Sequence, residues 1–242
     1  MIEIVEVTKY FDAKKAVDRL SLKVGPGELY TFLGPNAAGK TTTIKMIAGL
    51  LRPTSGRVSI CGFDVNRDGI RARESLSYVP DQPFLYEKLS GREFLEFVGS
   101  MYGMDRKTLH ERIGHYGERL EYLDYMDELT ESYSHGMRQR IVLASAFLHD
   151  PKVIVIDEPM VGLDPKSTRT LKDLLREKVR GGAAAFISTH TLAVAEELAT
   201  RIGIIHKGRL IAEGALKDFR TTGAEDLEEV FLALTMEEKS FE

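Results

Sequence analysis

The chain reads as an α/β protein whose core is a parallel sheet, with a strand-rich segment before that core and a helical segment set into its middle. Three observations predict this. The last third alternates short apolar runs with amphipathic stretches, the pattern of β–α–β connections. Val153-Ile154-Val155-Ile156 is apolar without interruption, as a strand buried on both faces must be. Between about residues 90 and 150 the period of two gives way to the period of a helix.

The elements follow in order. Residues 2–7 and 21–24 alternate apolar and polar, Pro26-Gly27 marks a turn, and 29–33 forms a further strand. A helix is expected over 40–49 and a strand over 57–60, ending at Cys61-Gly62. Ser90 is an N-cap, and Glu93 three residues later completes a capping box. Phe94, Leu95, Phe97, Val98 and Met101 then share one helical face. Further helices are expected over 106–123 and 137–149, followed by the strand 153–156. Helix 167–179, strand 183–188, helix 192–199 and strand 202–206 complete the alternation. No repeat or low-complexity linker divides the chain, so residues 1–242 are read as one domain.

Composition narrows the function. The 242 residues carry 33 Lys+Arg against 37 Asp+Glu, a net charge of −4, with 43% hydrophobic and 29% charged residues. Those are the proportions of a soluble globular protein. No run reaches the ~20 apolar residues that a membrane helix needs, and Glu3 and Glu6 interrupt the place of a signal-peptide core. Mild acidity argues against a nucleic-acid partner, which needs clustered Lys and Arg. The single cysteine, Cys61, excludes an internal disulfide, fits a reducing cytoplasm, and is expected as a small apolar strand residue.

The chemistry starts at Gly34-Pro35-Asn36-Ala37-Ala38-Gly39-Lys40-Thr41, which fits G-x-x-x-x-G-K-[ST] between a strand and a helix and continues into Thr42. Backbone N–H groups of such a loop and of the helix start surround a phosphate. Lys40 adds a point charge for the β- and γ-phosphates, and the Thr41 hydroxyl can ligate Mg²⁺. Asp157 closes the 153–156 strand. A carboxylate at the mouth of a buried strand needs a partner, and a metal or its water is such a partner. Glu158, next along, can orient or deprotonate an attacking water.

With Tyr133-Ser134-His135-Gly136-Met137-Arg138-Gln139-Arg140 in place before the Asp157 strand, the chain resembles the nucleotide-binding domain of ABC transporter ATPases over nearly its whole length. That stretch looks like the family signature, usually Leu-Ser-Gly-Gly-Gln followed by a basic residue. The resemblance implies a P-loop NTPase fold with a RecA-like parallel sheet core and an N-terminal antiparallel β subdomain. It also implies an inserted α-helical subdomain over about 86–152 and a short helical tail over about 214–242. It implies that Ser134 and Gly136 cover the γ-phosphate of ATP bound by a second subunit. Gly162-Leu163-Asp164 resembles the D-loop, with Asp164 near that interface. Ser188-Thr189-His190 resembles the switch, with His190 against the γ-phosphate at the ligand-binding end of an apolar strand. Phe11 stands where the family stacks an aromatic on adenine; Tyr10 competes, but the spacing to Ala16-Val17-Asp18 favours Phe11.

Three departures from the family pattern are visible. Ala37 replaces a frequent Gly, and the position is expected to tolerate Ala and still bind ATP; a positive φ there would cost roughly 1 kcal/mol. Asp81, beside Gln82, replaces the Gln after Tyr78-Val79-Pro80 and is a hard oxygen donor for Mg²⁺ or its water. His135 and Met137 replace two signature residues, a version similar to ATPases of the ABC-2 export type. The stretch 227–235 resembles the C-terminal helix of that group.

The resemblance thus implies an ATP hydrolase using ATP and Mg²⁺. It would pair with a second ATPase subunit, identical or not, and dock on a polytopic permease carried by another chain at the inner face of the cell membrane. Alternatives are a soluble ABC-type ATPase acting on DNA, ribosomes or cluster assembly, and a nucleotide sensor with little turnover. A GTPase is weakest, since no Asn-Lys-x-Asp motif is present. Other features read as ordinary. His110 and His115 are five apart and belong to a solvated helix face, Tyr116, Tyr122 and Tyr125 to packing, and Arg67, Arg71 and Arg73 to surface. Pro83-Phe84-Leu85-Tyr86 is either core or an apolar contact surface for a membrane subunit.

Overall fold

The structure, a computed structural model, describes residues 1–220 and 231–232. The first strands form a hairpin, β1 (Ile2–Phe11) and β2 (Lys14–Val24), paired antiparallel from Ile2↔Val24 to Phe11↔Lys14. Both are longer than the alternation predicted. Bulges between Ile4 and Val7 and on to Tyr10 break the period of two, and Glu6 sits at φ 49° inside one of them. β3 (Leu29–Leu33) leads into α1 (Lys40–Ile47). β4 (Ser55–Ile60) and the short β5 (Phe63–Asp64) join β1 and β2 in a four-stranded antiparallel sheet. Cys61 lies just past β4 at φ 50°, so it is a turn residue, not a strand residue.

A short α2 (Gly69–Glu74), with too little apolar pattern to be foreseen, precedes β6 (Leu76–Val79). Then come the helices of the middle segment. α3 (Gly91–Met101) has its capping box formed: Ser90 Oγ accepts from Glu93 N while Glu93 Oε2 accepts from Ser90 N. α4 (Arg106–Leu120) stops earlier than expected because Glu121 turns left-handed, with φ 56°. α5 (His135–Phe147) starts two residues earlier than expected, its first turn capped by Ser134 Oγ. β7 (Val153–Asp157), α6 (Pro165–Arg180), β8 (Ala184–Thr189), α7 (Leu192–Leu198) and β9 (Arg201–His206) restore the α/β alternation. β10 (Arg209–Ala215) turns back on β9, and α8 (Leu216–Arg220) follows. Of the expected helix over 227–235, only Phe231 and Leu232 fall within the described residues, and both are helical.

The second sheet has the order β10-β9-β3-β8-β7-β6, parallel except for the β10 edge. Its side chains show why the 153–156 run is unbroken. Val153 and Val155 point to one face, with Tyr30, Phe32 and Phe186, toward α1 and the antiparallel sheet. Ile154 and Ile156 point to the other, with Ala185 and Ile187, toward α5 and α6. Both faces are covered, so neither parity can be polar. Register fixes the site. Leu33 pairs with Thr189 and Asp157 with Ser188, so β3, β7 and β8 end together at one edge. Gly34, Glu158 and His190 are the next residues out from that edge, where open α/β sheets bind ligands.

Candidate functional site

The loop after β3 is shaped by close packing from behind. Gly39, the residue before α1, has φ 110°, and a Cβ on it would lie 2.6 Å from the Ala16 carbonyl oxygen. No side chain caps α1, so its first N–H groups are left for a ligand. Ala38 O accepts from Gly208 N at 2.8 Å, and Asp18 N donates to Gly208 O at 2.9 Å, which ties the loop to β2 and to the β9–β10 turn. Asp18 is clamped by Arg209 at 2.7 Å and Lys15 at 3.1 Å. Ala37 has φ 63°, so the position is left-handed and this residue carries the strain that a Gly would avoid.

In front of the loop opens a cleft of about 580 Å³, lined by Phe11, Asn36, Ala37, Gly39, Lys40, Thr41, Thr42, Asp81 and Glu158. Lys14, Lys15, Ala16, Lys207 and Gly208 line it too. Phe11 and Asp81 are among the lining residues, whereas Tyr10, Gln82, Asp157 and His190 are not. Lys40 Nζ donates to Gly34 O at 2.7 Å and Pro35 O at 3.1 Å, and lies 3.8 Å from Glu158 Oε1. His190 Nδ1 donates to the same Glu158 oxygen at 2.8 Å. Burial pushes the Lys40 ammonium pKa down, while the charges of Glu158 and Asp157 hold it up. Glu158 itself sits at φ 49°, its N–H held by Ser188 O at 3.2 Å.

Beneath this group Asp157 is fully buried. Ser188 Oγ donates to its Oδ1, while Oδ2 has no hydrogen-bond partner among the described residues. Burial pushes its carboxyl pKa up against the hydrogen bond of Ser188, and the charges of Asp81 and Glu158 add to the rise. A carboxylate so placed fits a divalent cation, with Thr41 and Asp81 as further oxygen donors. Among the described residues no cluster of three or more His, Cys, Asp or Glu forms a protein-only metal cage. Mg²⁺ does not need one, because it keeps waters and phosphate oxygens.

The remaining expected residues lie elsewhere. Ser134 and Gly136 begin α5 and do not line the cleft; Ser134 is exposed and caps Met137 N at 3.3 Å. Asp164 is also off the cleft, and its carboxylate is committed as the N-cap of α6, accepting from Lys166 N and Ser167 N, both at 2.9 Å. Ser167 and Arg140 hold that carboxyl well below the usual carboxylate range. His110 pairs with Glu96 at 3.2 Å on an exposed helix face. The sequence reading missed Lys14, Lys15, Lys207 and Gly208. A Lys-Gly turn at the end of the last parallel strand was the only signal available, and it does not say which element it folds against.

Residues 17–161 match the family described as ABC transporter. The chain belongs to that family. It is 35% identical over 223 residues to the daunorubicin resistance ATP-binding protein DrrA3 of Streptomyces coeruleorubidus, covering 92% of this chain and 71% of that one. Among solved structures it is similar to the ATP-binding subunit of an ABC transporter, with a TM-score of 0.92, 32% identity, and coverage of 97% of this chain and 99% of that one. It is also similar to a dimeric ATP-binding cassette in a post-hydrolysis state bound to ADP and phosphate, with a TM-score of 0.81 and 25% identity over 89% of this chain and 99% of that one. The ABC chain described here is therefore an ATP-binding protein and an ATP hydrolase with the P-loop NTPase fold. Among the described residues no helix is long and apolar enough to cross a membrane.

Proposed function

We propose that this chain drives export of the ABC-2 type, as one of two ATPase subunits docked on a separate polytopic permease at the inner face of the membrane. The observation that carries this reading is a separation. Lys40 and Glu158 line the cleft and His190 bonds the Glu158 carboxylate, while Ser134 is exposed and off the cleft. A signature helix that cannot reach its own cleft is available to the cleft of a second copy. The daunorubicin-resistance relative supports the export reading, and the dimeric cassette supports the pairing.

In this reading Phe11 stacks on adenine, the 34–42 loop wraps the phosphates, and Lys40 turns from the loop carbonyls toward the γ-phosphate. Glu158 takes a proton from water as its oxygen attacks the γ-phosphorus and the bond to the bridging oxygen of ADP breaks. His190 holds the Glu158 carboxylate on the water side. Mg²⁺, held by Thr41 and Asp157 with Asp81 nearby, would supply charge neutralisation for the phosphoryl group in transfer.

The permease contact falls on the stretch after β6. Leu85 is buried, whereas Phe84 is 70% and Tyr86 49% exposed. Phe84, Tyr86 and Phe97 form an edge-to-face cluster, with centroids 5.6 Å and 5.8 Å apart. Exposed aromatics held in fixed geometry suit an apolar helix of a partner. Affinity purification from detergent-solubilised membranes tests the reading: a polytopic protein should co-purify with the parent chain. It should be lost from the Phe84→Ala, Tyr86→Ala double variant, which still binds ATP. Equal recovery with both chains overturns the docking site, and failure to recover any membrane protein overturns the permease.

A further inference from the structure

We propose that Arg140 is a positioning residue of the hydrolytic reaction: its guanidinium anchors the far end of the loop that carries Glu158. The inference rests on Glu158 acting as the base. That loop runs from Glu158, at the end of β7, to Asp164, the cap of α6. Its internal hydrogen bonds are few and long, Val161 N to Glu158 O at 3.2 Å and Leu163 N to Met160 O at 3.4 Å. Its course is therefore set by what holds its two ends.

At the near end, Glu158 N donates to Ser188 O. At the far end, Arg140 uses three nitrogens on three acceptors. Nη2 donates to Asp164 Oδ2 at 2.7 Å, Nε to Ser167 Oγ at 3.0 Å, and Nη1 to the Glu121 carbonyl at 3.4 Å. Ser167 Oγ in turn donates to Asp164 Oδ2 at 2.6 Å. Between the ends, Gly162, at φ 80°, lies against the His135 ring so closely that a Cβ on it would collide with the imidazole. The loop is thus bonded to α5 at Asp164 and lies close against it at Gly162. The Arg140 side chain is 20% exposed, and Ser167 is buried. A planar fork suits this geometry; Lys, a single point charge, cannot bond Asp164, Ser167 and Glu121 together.

The expected consequence is a loss of geometry rather than of binding. Misplacing a reacting group by about 1 Å costs on the order of 100-fold in rate. Arg140→Lys in the full-length protein should lower kcat for ATP hydrolysis about tenfold, with KM for ATP within about twofold of the parent. Ser167→Ala should lower kcat less, and the double variant should fall no further than Arg140→Lys, because the two act through one network. The decisive measurement is made in the Glu158→Gln background. If Arg140 acts through Glu158, Arg140→Lys leaves the residual rate there unchanged; a general weakening of the fold lowers it again. A kcat unaltered by Arg140→Lys, a change in KM alone, or a further drop in the Glu158→Gln background overturns the proposal. Parent-level activity in Glu158→Gln itself marks failure of the Glu158 assignment instead. Arg140→Lys keeps charge and stem, and a thermal melt of each variant confirms folding before rates are compared.

Discussion

Lys40 Nζ and Glu158 Oε1 face each other at 3.8 Å across the phosphate loop, and His190 bonds the same carboxylate oxygen at 2.8 Å. Under the proposed function Lys40 serves the phosphate and Glu158 the water, and here the two charges face one another instead. In that reading a γ-phosphate takes Lys40 from this pair and leaves Glu158 to face water. Glu158→Gln should therefore keep or tighten ATP binding while hydrolysis falls by at least about 100-fold. Titration with a fluorescent ATP analogue and a phosphate-release assay check the two halves separately. Weaker binding in this variant would show that the Lys40–Glu158 pair does not compete with phosphate.

Burial of the Asp157 carboxylate couples stability to pH. Its carboxyl pKa is raised in the fold, so burial of the anion penalises the native state once pH rises above the unfolded value of 3.8. Asp157→Asn removes that penalty at neutral pH. Thermal melts at pH 7 without nucleotide should show a midpoint no lower than the parent's. The additional stabilisation that Mg²⁺ confers in the presence of ATP should disappear from the variant. A variant that melts lower without nucleotide, or that keeps the Mg²⁺ increment, contradicts this account of the carboxylate.

His149 follows α5 and stacks on Tyr102, with ring centroids 3.6 Å apart and an interplanar angle of 5°. Burial lowers its pKa from 6.5 to about 4. A depressed histidine value means that the fold binds the neutral ring, so stability is whole above about pH 6.5 and falls as the pH drops toward 4. The full loss is on the order of 3 kcal/mol. His149→Phe keeps the stack and removes the titration. Between pH 7 and 5 the parent's melting midpoint should fall further than the variant's. Parallel curves would place the acid sensitivity elsewhere.

Ala37 at φ 63° carries a strain of roughly 1 kcal/mol that Gly does not. Ala37→Gly should raise the melting midpoint by about 2–4 °C and leave ATP affinity within twofold. An unchanged midpoint would mean that the gain in unfolded-chain entropy offsets the relieved strain.

The sequence by itself determined the fold class and the chemistry that is local. The phosphate loop, the unbroken 153–156 strand and the Asp157-Glu158 pair at its end are each written in a few consecutive residues. So is the Ser90 capping box. The signature stretch 133–140 likewise placed the chain among ABC ATPases. Contacts between distant segments were decided only by tertiary structure. β2 was half hidden because bulges in the hairpin break its alternation. Lys207 and Gly208 reach the cleft only because β9 pairs with β3. Leu85 is core while Phe84 and Tyr86 stand out, because a loop has no period by which composition could assign a face. Asp164 is a helix cap bound to Arg140, a pairing between residues 24 apart in sequence. Register brings Leu33, Asp157 and Thr189 to one edge. A pattern along one strand fixes which side chains are apolar; only pairing with its neighbours fixes where that strand ends relative to them, and the site lies where those ends meet.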